Sequence, residues 1–127
     1  MNKDDLKKRT KNFALRILKL ANALRKTIIG LPIGNQIVRS GTSVAANYRA
    51  ALRARSTAEF IAKLRVVIEE ADETVFWLEI IIESNLVKKE LVTPLLQEAN
   101  EIVAIMVSTC KTTTNKKNKS EITNHKS

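Results

Sequence analysis

One cysteine, one histidine, three glycines and two prolines are spread over 127 residues, and each scarcity removes a class of protein. A lone cysteine excludes a disulfide framework, and one Cys with one His cannot make an ordinary structural zinc site. So little glycine and proline leaves too few turn residues for an all-β fold of this size. There is no glycine-rich phosphate loop. Aromatic residues are only 4% of the chain, so few rings are available for stacking on bases. No apolar run approaches the roughly 20 residues of a membrane span. Arg16 and Lys19 interrupt the first apolar segment, which argues against a signal peptide and for a soluble, cytoplasmic protein.

What is present is a hydrophobic fraction of 44%, enough for one core in a single domain, and a net charge of +9. The charge is divided unevenly. Residues 1–65 hold 15 Lys and Arg against 3 acids, a balance of +12. Residues 66–110 hold Lys88 and Lys89 against nine acids, a balance of −7. Residues 111–127 return to +4. A basic half, an acidic half and a basic tail differ from the even spread of a general polyanion binder.

Apolar spacing predicts four helices. Leu6, Phe13, Ile17, Leu20, Leu24 and Ile28 recur at three- and four-residue intervals, giving a helix over about 4–29 that Gly30 and Pro32 close. Ile37, Val44, Tyr48 and Leu52 give a second over 35–54, with Asn35 as N-cap. The small residues Ser40-Gly41-Thr42-Ser43 in its middle would admit a close neighbour. Ser56-Thr57-Ala58-Glu59 reads as a capping box that opens a third helix over 57–84, with Asn85 as a left-handed cap at its end. Thr93-Pro94 reads as N-cap and first turn of a fourth helix over 94–111. Residues 112–127, rich in Thr, Asn, Lys and Ser, read as a disordered basic tail. Four helices with short connections make an all-α, antiparallel up-down-up-down four-helix bundle over 1–111. Phe76, Trp77, Ile80 and Ile82 spread around helix three, more apolar surface than one seam needs, and point to contact between subunits.

Three blocks in the middle of the chain carry a resemblance. Arg39-Ser40-Gly41-Thr42-Ser43-Val44-Ala45-Ala46-Asn47-Tyr48-Arg49, Arg53 to Phe60, and Glu70 to Glu79 resemble, in order and spacing, the small four-helix-bundle proteins encoded in intervening sequences of bacterial 23S rRNA genes. The similarity covers about residues 10–112, with Glu69 standing where that family's pattern has Lys. The resemblance implies a ring-shaped homo-oligomer, a pentamer, and a fold similar to the accessory protein of diversity-generating retroelements. It implies no enzymatic activity.

The side chains that could do chemistry are few. His125 lies in the tail and Cys110 near the end of helix four, so neither has a catalytic partner. The paired acids Glu69/Glu70 and Asp72/Glu73 read as ion-pair partners. We therefore expect no enzyme, catalytic residue, metal, cofactor or small-molecule substrate. Antiparallel packing of helices two and three should bring Arg39 to Glu70, Glu73 and Trp77, and Arg53 to Glu59, with Ser43 and Asn47 adding hydrogen bonds. Candidates for contact with an RNA or DNA backbone are Lys7, Lys8, Lys11, Arg16, Lys19, Arg25 and Lys26 on helix one and Arg49, Arg53 and Arg55 at the helix 2–3 junction, with Lys111, Lys116, Lys117 and Lys119 in the tail. The competing reading is a protein–protein scaffold or accessory subunit without nucleic-acid binding. Helix one lacks the exposed aromatic–leucine face of an interfacial helix, so no membrane partner is expected.

Overall fold

The computed structural model describes the backbone of residues 1–126 and the side chains of residues 1–123. Its order is α1 (Lys3–Leu24), α2 (Gly30–Leu52), α3 (Thr57–Glu83) and α4 (Lys89–Lys126). Among the described residues there is no strand. Consecutive helices pack on one another, and α1 meets α4 over a thinner contact that completes the bundle. Among the described residues no helix is long and apolar enough to cross a membrane.

The core follows the predicted stripes except at Ile28, which lies beyond the end of α1 and is 95% exposed. Phe13, Ile17, Leu24, Ile37, Val44, Tyr48, Leu64, Val67, Leu78, Ile81, Ile102 and Met106 are almost wholly buried along one continuous interior. Cys110 is buried at its edge. Gly41 shows why α2 carries small residues at its middle. A Cβ there would meet Ile17 Cγ2 at 2.9 Å, so glycine sets how closely α1 and α2 approach. Beside it Ser40 and Thr74 are fully buried with their hydroxyls 2.9 Å apart, which satisfies both in the α2–α3 interface.

Boundaries differ from the sequence reading in four places. Helix α1 ends at Leu24, and Gly30 is not a left-handed cap. Gly30 instead opens α2, where a Cβ would lie 2.0 Å from the Leu24 carbonyl oxygen, so the turn is too tight for any other residue. Pro32 falls in the first turn of α2, where no amide has an intrahelical partner to lose. Asn35 is therefore inside α2, not its cap. Helix α4 starts at Lys89 with Pro94 inside it, because wholly buried Val92 and Leu95 at 4% exposure anchor the earlier turn against the core. The tail, expected to be disordered from Thr112, continues α4 through the described residues. Extending an existing helix adds one bond per ordered residue with no new nucleus. Thr113, Thr114 and Thr123 bond the carbonyls four residues back, and Lys117 pairs with Glu121.

The caps are partly as read. Asn85 has φ of 56°, the left-handed cap expected. Ser56 Oγ accepts from the Glu59 amide at 3.1 Å, but the Glu59 carboxylate accepts from the Arg55 amide, so the box is only half closed. A full capping box stands instead at the start of α1. There Asn2 Oδ1 accepts from the Asp5 amide at 2.8 Å, and the Asp5 carboxylate accepts from the Asn2 amide at 3.4 Å.

Candidate nucleic-acid interface

The ten candidate cations do not form one patch; the helices divide them among separate regions. Lys7 and Lys11 are one turn apart on the side of α1 that faces α2, and Arg49 lies on the adjoining face of α2. Together they line a groove of about 360 Å³ floored by Ala45 and Ala46. Arg16 and Lys19 lie on the other flank of α1, above a cleft shared with Glu90, Leu91 and Pro94 of α4. Lys8 is exposed on α1, and Arg25 and Lys26 are exposed on the α1–α2 connection. Arg53 caps the end of α2, and Arg55 lines a cleft with Phe60, Thr109 and Thr113.

The groove is the arrangement best suited to a phosphate. Two lysines and an arginine converge over small alanine side chains, so an anionic backbone can approach without displacing a bulky residue. No acid lines it. Nor does any ring: Phe13 and Tyr48 are buried, and Phe60 lies beneath Lys3, whose ammonium is 5.6 Å from the ring centre. Burial raises the Tyr48 phenol above its ordinary pKa, with the charge of Asp4 adding to the effect. Phe76 is the aromatic side chain left most open among the described residues. It is 51% exposed on the outer face of α3 and stacks edge-on against Trp77, with centroids 5.0 Å apart.

The polar network forms in part. Arg39 reaches across to α3, bonding Glu70 at 3.0 Å and pairing with Glu73. Trp77 Nε1 is shielded from solvent with no acceptor. Ser43 and Asn47 bond each other within α2, the Asn47 amide donating to Ser43 Oγ at 2.8 Å and to its carbonyl at 2.9 Å, and do not bridge helices. Arg53 makes no ion pair with Glu59 among the described residues.

One ion-pair cluster, between α1 and α4, is absent from the sequence reading. Arg9 of α1 reaches Glu98 of α4 through two guanidinium nitrogens at 2.8 and 2.6 Å, and Glu101 at 3.1 Å. The Arg9 hydrogen bond holds the Glu98 carboxyl below its usual range against the opposing effect of burial, and the same bond raises the guanidinium. A signal was available in the spacing. Arg9 lies three residues after Leu6 and four before Phe13, and Glu98 three after Leu95 and four before Ile102, so both border the buried stripes.

Among the described residues, no three or more His, Cys, Asp or Glu side chains are grouped so as to hold a metal ion. The His125 side chain lies outside the described residues.

Two comparisons place the chain among known proteins. The family described as 23S rRNA-intervening sequence protein matches residues 2–108. A 1.70 Å crystal structure of a protein of unknown function from the S23 ribosomal protein family of Bacteroides thetaiotaomicron is 36% identical. The match covers 83% of this chain and 97% of that one, with a TM-score of 0.78. No curated protein matches the chain. With the four-helix fold and nearly the whole bundle matched, the chain belongs to the 23S rRNA-intervening sequence protein family.

Proposed function

We propose that this chain is a non-enzymatic, self-associating bundle that binds the phosphate backbone of RNA or DNA without reading sequence. The observation that carries the reading is the α1–α2 groove, where Lys7, Lys11 and Arg49 converge over an alanine floor with no acid among its lining residues. Phosphate contacts supply affinity and position; the groove offers cationic donors for phosphate oxygens but no ring to stack on a base and no side-chain acceptor. Self-association, as a five-membered ring by family resemblance, would repeat the groove around an axis and add avidity to a weak site.

The test is fluorescence anisotropy with labelled duplex RNA and duplex DNA of arbitrary sequence, titrated from low to moderate salt. The expected result is binding that weakens steeply with salt, differs little between sequences, and is lost when Lys7, Lys11 and Arg49 are replaced together by Glu. No binding at low salt would exclude the reading. It would favour the second one, a protein–protein accessory subunit, which is supported by the exposure of large apolar residues such as Ile28, Leu31 and Phe76.

A further inference from the structure

Three exposed large apolar side chains cluster where the α1–α2 connection runs into α2. Ile28 is 95% exposed, Ile29 62% and Leu31 53%. They are not on a slack loop. The Gly30 amide donates to Thr27 Oγ1 at 2.9 Å, the Leu31 amide to the Thr27 carbonyl at 3.2 Å, and the Thr27 amide to the Leu24 carbonyl at 3.3 Å. With Gly30 packed against that Leu24 carbonyl, the turn holds both isoleucines in solvent. A rigid turn that presents bare isoleucine is a shape waiting for a cover.

The surroundings of the turn identify the cover's charge. Arg25 and Lys26 flank it, and no acidic residue occurs between Asp5 and Glu59. The complementary surface is on the same chain. On α3, Asp72 and Glu79 lie one turn either side of Phe76, and Glu83 one turn beyond, all exposed. No Lys or Arg occurs between Arg65 and Lys88, and Asp72, Glu79 and Glu83 enter no ion pair among the described residues. One surface is apolar with a cationic border; the other is apolar with an anionic border. They cannot cover each other within one chain, because α1 and α3 do not pack together and both Ile28 and Phe76 remain exposed.

We infer that the Ile28–Ile29 turn of one copy seats on the Phe76 face of the next, with Arg25 and Lys26 against Asp72, Glu79 and Glu83. This rests on the reading that the chain self-associates, and it names the surfaces. The contact joins two different patches, so it runs head to tail and closes into a ring or continues as a filament. Tip-to-tip pairing is opposed by four like charges brought together. The contact leaves the Lys7–Lys11–Arg49 groove outside the interface, so assembly and polyanion binding are compatible.

The experiment is light scattering on size-fractionated full-length chain, comparing wild type with Ile28→Asp and Phe76→Asp. Wild type is expected at a multiple of the chain mass and each variant at the monomer mass. Mixing the two variants is the decisive arm. Each retains one intact surface, so the mixture yields a species of twice the chain mass at concentrations where each alone is monomeric. The double variants Arg25→Glu with Lys26→Glu, and Glu79→Lys with Glu83→Lys, serve if either Asp variant loses its helical circular dichroism. They should dissociate separately and associate when mixed. An oligomeric wild type whose mass neither set changes overturns the interface and leaves self-association standing. A monomeric wild type overturns both. Sedimentation of monomeric wild type with phosphatidylserine vesicles, abolished by Ile28→Asp, would assign the turn to lipid instead and likewise overturn the proposal.

Discussion

Arg9 and Glu98 join α1 to α4 across the thinnest contact of the bundle, with a guanidinium nitrogen 2.6 Å from a carboxylate oxygen and a second bond at 2.8 Å. The other three helix pairs are held by broad apolar seams; here a two-pronged charged bond closes the ring of helices.

Glu98→Gln should destabilise the bundle by about 1–3 kcal/mol at neutral pH, the range for a lost hydrogen bond to a charged group that leaves its partner half-buried. The pH dependence follows from the lowered carboxyl pKa. The Glu98 contribution is complete above the ordinary carboxylate value of roughly 4.3 and is lost as pH falls through the lower folded value. Urea denaturation from pH 7 to pH 3 should show the wild-type advantage over Glu98→Gln shrinking below about pH 4.

Two glycines of α2 should respond in opposite directions to alanine. Gly41→Ala drives a methyl into the wholly buried Ile17 and should cost about 1–3 kcal/mol. Gly34→Ala meets its nearest atom at 3.6 Å, an ordinary contact. It should gain about 0.5–1 kcal/mol from helix propensity. Thermal melts of the two variants decide the matter.

Pro94 separates two views of where α4 begins. Inside the helix it denies a bond to the Glu90 carbonyl, so Pro94→Ala should raise stability by about 1–2 kcal/mol, somewhat less than the full cost of an interior proline because the unfolded chain gains freedom. A first-turn proline has no such bond to restore. An unchanged or lowered melting temperature would return the start of α4 to position 94.

Single replacements Lys7→Ala, Lys11→Ala and Arg49→Ala should each weaken duplex binding uniformly across sequences. Each should reduce the slope of log affinity against log salt by about 0.9 for DNA. Lys8→Ala, outside the groove, should change it less. Equal slopes for all four would mean that charge alone, without the groove, governs binding.

Ser40 and Thr74 form a buried hydroxyl pair, so Thr74→Val should cost about 1–2 kcal/mol by leaving Ser40 short of its partner. Adding Ser40→Ala should return part of that loss. A double-mutant cycle with no coupling would mean the pair does not act as a unit.

Apolar spacing was enough to set the number of helices, their approximate centres and nearly every core side chain. A buried helix face repeats every three to four residues whatever it packs against. Asn85 and Ser56 were legible for the same reason, since caps are made by local atoms. Arg39 opposite Glu70 followed from antiparallel pairing of two helices joined by a short turn. The tertiary structure alone decided the rest. It placed Pro32 in the first turn of α2, where it breaks no helical bond, and Pro94 inside α4, where burial of Val92 and Leu95 outweighs a local breaker. It made Gly30 a matter of space rather than of backbone angle. It joined Arg9 to Glu98, residues 89 positions apart whose partnership no local pattern encodes. It also divided ten basic residues among separate surfaces and left Ile28 and Phe76 bare. A sequence states how much charge and apolar area a chain carries, but which groups share a surface depends on the three-dimensional packing of helices distant in the chain.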